Sequence, residues 1–163
     1  MLVFLRENKK RIIIILALLL DGIIVYYYPS YQKINLFYPM LTISLIAFLT
    51  NQKNYNLFLL GFIYDLLYSN IFFYNAIVFY LLGKMNYFFK RNFNNNIMVY
   101  LILTIINIIL YDTLTYFFVL ITEYHSIAIS FLIYKIKNSL ILNILVVFVY
   151  YFLFKKDLLE HTM

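Results

Sequence analysis

Six apolar segments, each near the length that crosses a lipid bilayer, fill almost all of this chain. They run roughly over 11–28, 35–51, 55–69, 71–89, 96–122 and 138–155. A membrane-crossing helix needs about 20 predominantly apolar residues. Of the 163 residues, 65% are apolar and 12% charged, against roughly half and about a quarter in soluble domains. No stretch is long and polar enough for a separate soluble domain. The expected architecture is therefore a single all-α integral membrane domain over residues 1–163, a polytopic bundle of about six transmembrane helices. Only Ser69-Asn70 parts the short third segment from the fourth, so a re-entrant hairpin and one long broken helix both stay open for that pair.

Charge placement orients the bundle. Arg6-Glu7-Asn8-Lys9-Lys10-Arg11 precedes the first segment as in a signal peptide, but no small-residue cleavage site follows. Tyr26-Tyr27-Tyr28-Pro29 closes that segment like an interfacial aromatic belt with a helix-ending proline. With both termini cytoplasmic, ten Lys and Arg fall inside and three, Lys33, Lys135 and Lys137, fall outside. That bias agrees with the positive-inside rule. Residues 123–137 then form the longest outer loop. Ile127, Ile129, Phe131 and Ile133 alternate in it, which suits a short strand, an interfacial helix, or a loop dipping into the headgroups.

Much chemistry is excluded. The chain has no cysteine, so disulfides, thiolate catalysis and cysteine-held metals are out. His125 and His161 lie far apart in polar ends, and no metal or other cofactor is expected. The net charge of +6 sits at segment ends rather than along one face, so nucleic acid is not an expected partner. No Walker loop, nucleophile elbow, zinc-protease helix or dinucleotide turn is present, and enzyme activity is not expected.

The candidate functional residues are polar groups inside apolar runs. Asp65 lies in Leu59-Leu60-Gly61-Phe62-Ile63-Tyr64-Asp65-Leu66-Leu67-Tyr68, and Asp21 and Asp112 are placed the same way, with no Lys or Arg expected at their depth. A carboxylate at mid-bilayer costs about 2.5–3.5 kcal/mol on insertion scales, so it faces protein or a water-filled cavity. Gly61 and Asp65 are four apart and share a helix face, where glycine allows close helix approach. Asn107 and Tyr116 flank Asp112 at helical spacing. Asn143 sits in Leu140-Ile141-Leu142-Asn143 as an interhelical tie, and Pro39 suits a helix start. Capping or ordering the bundle, gripping another protein's helix, and ion or proton passage are the three roles open to the acids.

The stretch Ile46-Ala47-Phe48-Leu49-Thr50-Asn51-Gln52-Lys53, followed by Leu60-Gly61-Phe62-Ile63-Tyr64-Asp65-Leu66, resembles the heart of the MreD family. These are small polytopic membrane proteins that determine rod shape in bacteria. The family pattern has a proline early in the second segment, a short polar turn and a G-[FL]-[IL]-x-D-[LM] helix. Pro39, Lys53, Gly61 and Asp65 match it. Asn138-Ser139-Leu140-Ile141-Leu142-Asn143 resembles the P-[TS]-x-[LI]-x-N stretch, with Asn138 in place of proline. Asp112 stands where relatives often carry an acid. The usual glycine after the aspartate helix is absent, and Phe72-Phe73-Tyr74-Asn75 occupies its place.

The resemblance implies a six-helix fold similar to the substrate-binding subunit of energy-coupling-factor vitamin transporters. It implies a multi-pass place in the bacterial inner membrane and a non-catalytic scaffold role in the cell-elongation complex. The implied partners are a single-span MreC-like protein and, indirectly, MreB, RodA and a class B penicillin-binding protein, besides membrane lipid. Gly61, Asp65, Asn143, Asp112, Asp21 and Pro39 are then the residues that pack the bundle or bind the partner. The competing expectation is a vitamin-binding transporter subunit. That class carries an A-x-x-x-A-like face on its first helix, whereas Ala17 is followed four positions later by Asp21. A small ion or proton channel rests on the buried acids alone.

Overall fold

The computed structural model describes residues 9–27, 40–50, 55–69, 71–93, 96–122 and 128–160. Among these, all regular structure is helical: α1 (Lys9–Tyr27), α2 (Met40–Leu49), α3 (Tyr55–Tyr68), α4 (Tyr74–Asn92), α5 (Ile97–Thr122) and α6 (Ile129–Glu160). α5 and the Leu132–Phe154 part of α6 are long and apolar enough to cross a membrane.

The helices alternate in direction, with α1, α3 and α5 running toward the upper end, where Asp21, Asp65 and Asp112 each meet the following helix. α2 is the axis of the bundle. It packs on α6, α5, α1 and α4, and every described side chain from Leu41 to Phe48 is buried. Its mixture of Leu, Ile, Ala, Thr and Ser has no polar face to turn outward, which suits burial all round. Around it, Phe48 stacks on Tyr100 at 4.4 Å and on Phe154 at 5.7 Å, joining α2, α5 and α6 near the lower end.

Polarity is distributed inside out. Asp21, Thr42, Ser44, Asp65, Asn75, Asn86, Asn107 and Asn143 have essentially no exposed surface, whereas Leu19, Leu66, Ile77, Ile102 and Phe152 are all more than half exposed. Soluble proteins rarely show large contiguous apolar surface.

α3 and α4 form an antiparallel hairpin, which rules out one long broken helix over 55–89. α4 begins after Phe73, whose φ of 68° is left-handed. Glycine takes that conformation without strain. A phenylalanine does not, and stacking of Phe73 on Phe62 at 5.2 Å and Phe58 at 6.5 Å offsets the strain. α6 starts at Ile129, nine residues earlier than the segment read from the sequence. The described part of the expected outer loop is thus helix. Of the readings open for this stretch, a helix is the one found over residues 129–137, with Lys135 turned inward to a partner.

Candidate functional site

Each of the three acids ties its own helix to the one that follows; Asp21 and Asp65 do so at the start of that helix, and Asp112 through side chains further along it. On α1, Asp21 is fully buried. Its Oδ1 accepts the Leu41 amide at 2.8 Å, and its Oδ2 accepts the Thr42 amide at 3.1 Å and the Thr42 hydroxyl at 2.6 Å. These amides belong to the first turn of α2, which has no intrahelical partner for them. A carboxylate there also meets the positive end of the helix dipole.

The same device recurs on α3. Asp65 Oδ1 accepts the Asn75 amide at 3.2 Å and the Asn75 side-chain NH2 at 2.7 Å, and Oδ2 accepts the Ala76 amide at 3.2 Å. Phe73, the residue before α4, provides no side-chain cap; Asp65 supplies it from the neighbouring helix. Gly61 makes this possible. A Cβ at Gly61 would run into the Asn75 carbonyl and the Ala76 Cα, both backbone. The first turn of α4 therefore lies directly on α3, one turn from Asp65. Asn75 extends the network, since its Oδ1 accepts the Tyr111 hydroxyl of α5 at 2.9 Å.

On α5, Asp112 pairs with Lys135 of α6 at 3.1 Å, both nearly buried. Ser139 donates to its other oxygen at 3.4 Å, and the Lys135 ammonium lies 5.9 Å from the Tyr111 ring centre. This corrects two expectations: Lys135 does not lie in a loop, and a cation does share the depth of the acids. Charge neutralisation explains it, because a buried carboxylate without a helix terminus needs a cation.

Other ties cross the bundle. Ser44 of α2 donates to Asn143 Oδ1 of α6, and Asn143 Nδ2 donates to the Ser139 carbonyl at 2.8 Å. The Tyr68 hydroxyl donates to the Leu18 carbonyl at 2.8 Å, lying over Gly22, where a side chain would strike its ring. At the lower end, beyond the apolar run of α4, Lys90 donates to the Ala47 carbonyl at 2.8 Å and lies 4.6 Å from the Tyr100 ring centre. Burial pushes its ammonium down to about 8.

Of the residues singled out from the sequence, Gly61 and Asp65 act together and Asn143 joins two helices. Asp21 and Asp112 each bridge a separate helix pair. Asn107 does not bond to Asp112, and Pro39 lies outside the described residues. Sequence reasoning missed Thr42, Ser44, Asn75, Tyr111, Lys135 and Ser139. Their signal was faint: single hydroxyls and amides in apolar runs, visible as partners only once the helices are arranged. Thr42→Val should lower unfolding free energy by about 1 kcal/mol, one hydrogen bond to Asp21 being lost while two remain. Thermal unfolding in detergent against Thr113→Val, a half-buried control, checks this.

Every acid here is held by fixed donors, an arrangement suited to holding helices in place. Among the described residues no cluster of three His, Cys, Asp or Glu side chains could hold a metal. A groove of about 490 Å³ on the outside of α3 and α4, lined by Tyr55, Phe58, Leu59, Ile77 and Tyr80, is wholly apolar. No family model, curated protein or solved structure matches this chain.

Proposed function

We propose that the protein is a multi-pass membrane scaffold of the bacterial cell-elongation machinery, gripping the single transmembrane helix of an MreC-like partner. The observation that carries the reading is the Gly61–Asp65 pair. The residues that resemble the MreD motif are the ones that dock α3 on the first turn of α4. The inside-out distribution of polarity supports a bundle dissolved in lipid, and the bias of Lys and Arg along the sequence supports both termini on the cytoplasmic side. There, packing and polar ties hold helices together, because lipid supplies no hydrophobic drive between them. The acids serve architecture rather than turnover, and the wholly apolar α3–α4 groove has the character that an apolar partner helix needs.

Co-purification from membranes tests this. Ile77→Trp, which fills the groove, should reduce recovery of the MreC-like partner at least several-fold, while Phe117→Leu on α5 leaves it unchanged. Equal recovery with both variants would remove the groove from the account. Cells depleted of the protein should lose cylindrical growth; normal rods with impaired vitamin uptake would favour a transporter subunit instead.

A further inference from the structure

Polar side chains recur along the seam between α4 and α5, among apolar contacts such as Phe79 on Tyr111. Two contacts set its register: Lys90 against Tyr100 at the lower end, and Tyr74 on Thr115 near the upper. Antiparallel helices advance at the same rise per residue. One turn in from Lys90 and Tyr100, Asn86 therefore stands opposite Thr104. About one turn further, Gly83 stands opposite Asn107. In the upper half the polar groups satisfy one another, as the Tyr74 hydroxyl donates to Thr115 at 3.0 Å and Tyr111 donates to Asn75 at 2.9 Å.

The lower half is different. Asn86 and Asn107 are 0% exposed and Thr104 1%. Both polar atoms of each amide, and the Thr104 hydroxyl, have no hydrogen-bond partner. α2 packs against both α4 and α5, but its described polar side chains are engaged elsewhere: Thr42 and Ser44 on Asp21 and Asn143, and Thr50, at its end, on the Ile46 carbonyl. α4 and α5 themselves meet at few points, and the register places a glycine opposite Asn107. Leaving five buried polar atoms unmatched would cancel a large share of a domain's net stability.

We propose that the lower half of the α4–α5 seam, walled by Asn86, Thr104 and Asn107, is an internal binding site. It takes small uncharged molecules that both donate and accept hydrogen bonds, with water as the basic occupant. The chemistry of the wall sets the class. Two carboxamides and a hydroxyl offer donors and acceptors in mixture and carry no charge. A buried water makes about three hydrogen bonds, so two or three of them match the five atoms. This site rests on burial and register alone and does not depend on the elongation-complex reading.

Water-edited solid-state NMR on the full chain in lipid bilayers tests it, with water as the probe. The side-chain amide signals of Asn86 and Asn107 are assigned by their loss in Asn86→Ser and Asn107→Ser, and measured in the unsubstituted protein. Asn143, equally buried but bonded to Ser44 and Ser139, is the dry reference. Magnetisation should reach Asn86 and Asn107 several-fold faster than Asn143. Build-up as slow as at Asn143 would overturn the site. The outward methyls of Ile102 report separately on the membrane: rapid water transfer there would count against a lipid-embedded bundle and leave the asparagine comparison decisive.

Discussion

Gly61→Ala lowers the unfolding free energy by about 3 kcal/mol, near the upper end of what overpacking costs. The added methyl meets backbone, the Asn75 carbonyl and the Ala76 Cα, and backbone cannot rotate away as a side-chain tip can. α4 must lift from α3. Asp65 then loses reach of the Asn75 and Ala76 amides, which begin within hydrogen-bonding distance at 3.2 Å. Asp65→Leu should cost a similar amount by leaving these buried donors unmatched, at about 1–3 kcal/mol for each group. Because both substitutions break the same contact, the double variant should fall well short of the sum of the two. Gly22→Ala is the informative contrast. Its methyl meets the ring of Tyr68, which can swing aside, so the expected loss is smaller. Unfolding of the detergent-solubilised variants measures all four. A Gly61→Ala protein as stable as its parent would show that the α3–α4 approach is not as close as described.

Lys135→Met is the second large effect, with an expected loss of about 3–5 kcal/mol, the cost of leaving one member of a buried pair uncompensated. Asp112 would keep only the 3.4 Å contact from Ser139. Pairing Lys135→Met with Asp112→Leu should restore most of the loss, because two apolar residues in a buried site remove the need for compensation. The double-mutant cycle on unfolding free energy therefore carries a strong positive coupling. Additive losses would mean that the two charges do not interact. Raising the salt concentration should change the parent little, since the pair is 6% and 5% exposed and screening acts mainly on exposed charges.

Several parts of the site were legible in the sequence. Asp21, Asp65 and Asp112 stand out because a carboxylate in an apolar run must have a partner, whatever the fold. Gly61 reads as a close-approach position because it lies one turn from Asp65. The identity of the partners was not legible. Asp65 bonds to residues 10 and 11 positions away, Asp21 to residues 20 and 21 away, and Ser139 reaches Asp112 across 27. Two of these acids bond mainly to backbone amides, which have no signature in residue type. Lys135 illustrates the opposite error: an alternating apolar pattern with two lysines has the look of a loop. Lys135 lies in a helix and its side chain turns inward to Asp112, a partner on another element that the local pattern does not show.

Composition and segment length alone determined that the chain is built of apolar helices, and where most of them lie, because backbone hydrogen bonding leaves such segments little else. What each acid holds was decided only in three dimensions. A carboxylate on the first-turn amides of the next helix repeats across α1–α2 and α3–α4, although no repeat is visible in the chain, whereas α5–α6 uses an ion pair. The physical reason is that a helix start exposes the same unpaired amides whatever its side chains, so the same solution recurs without similar sequence.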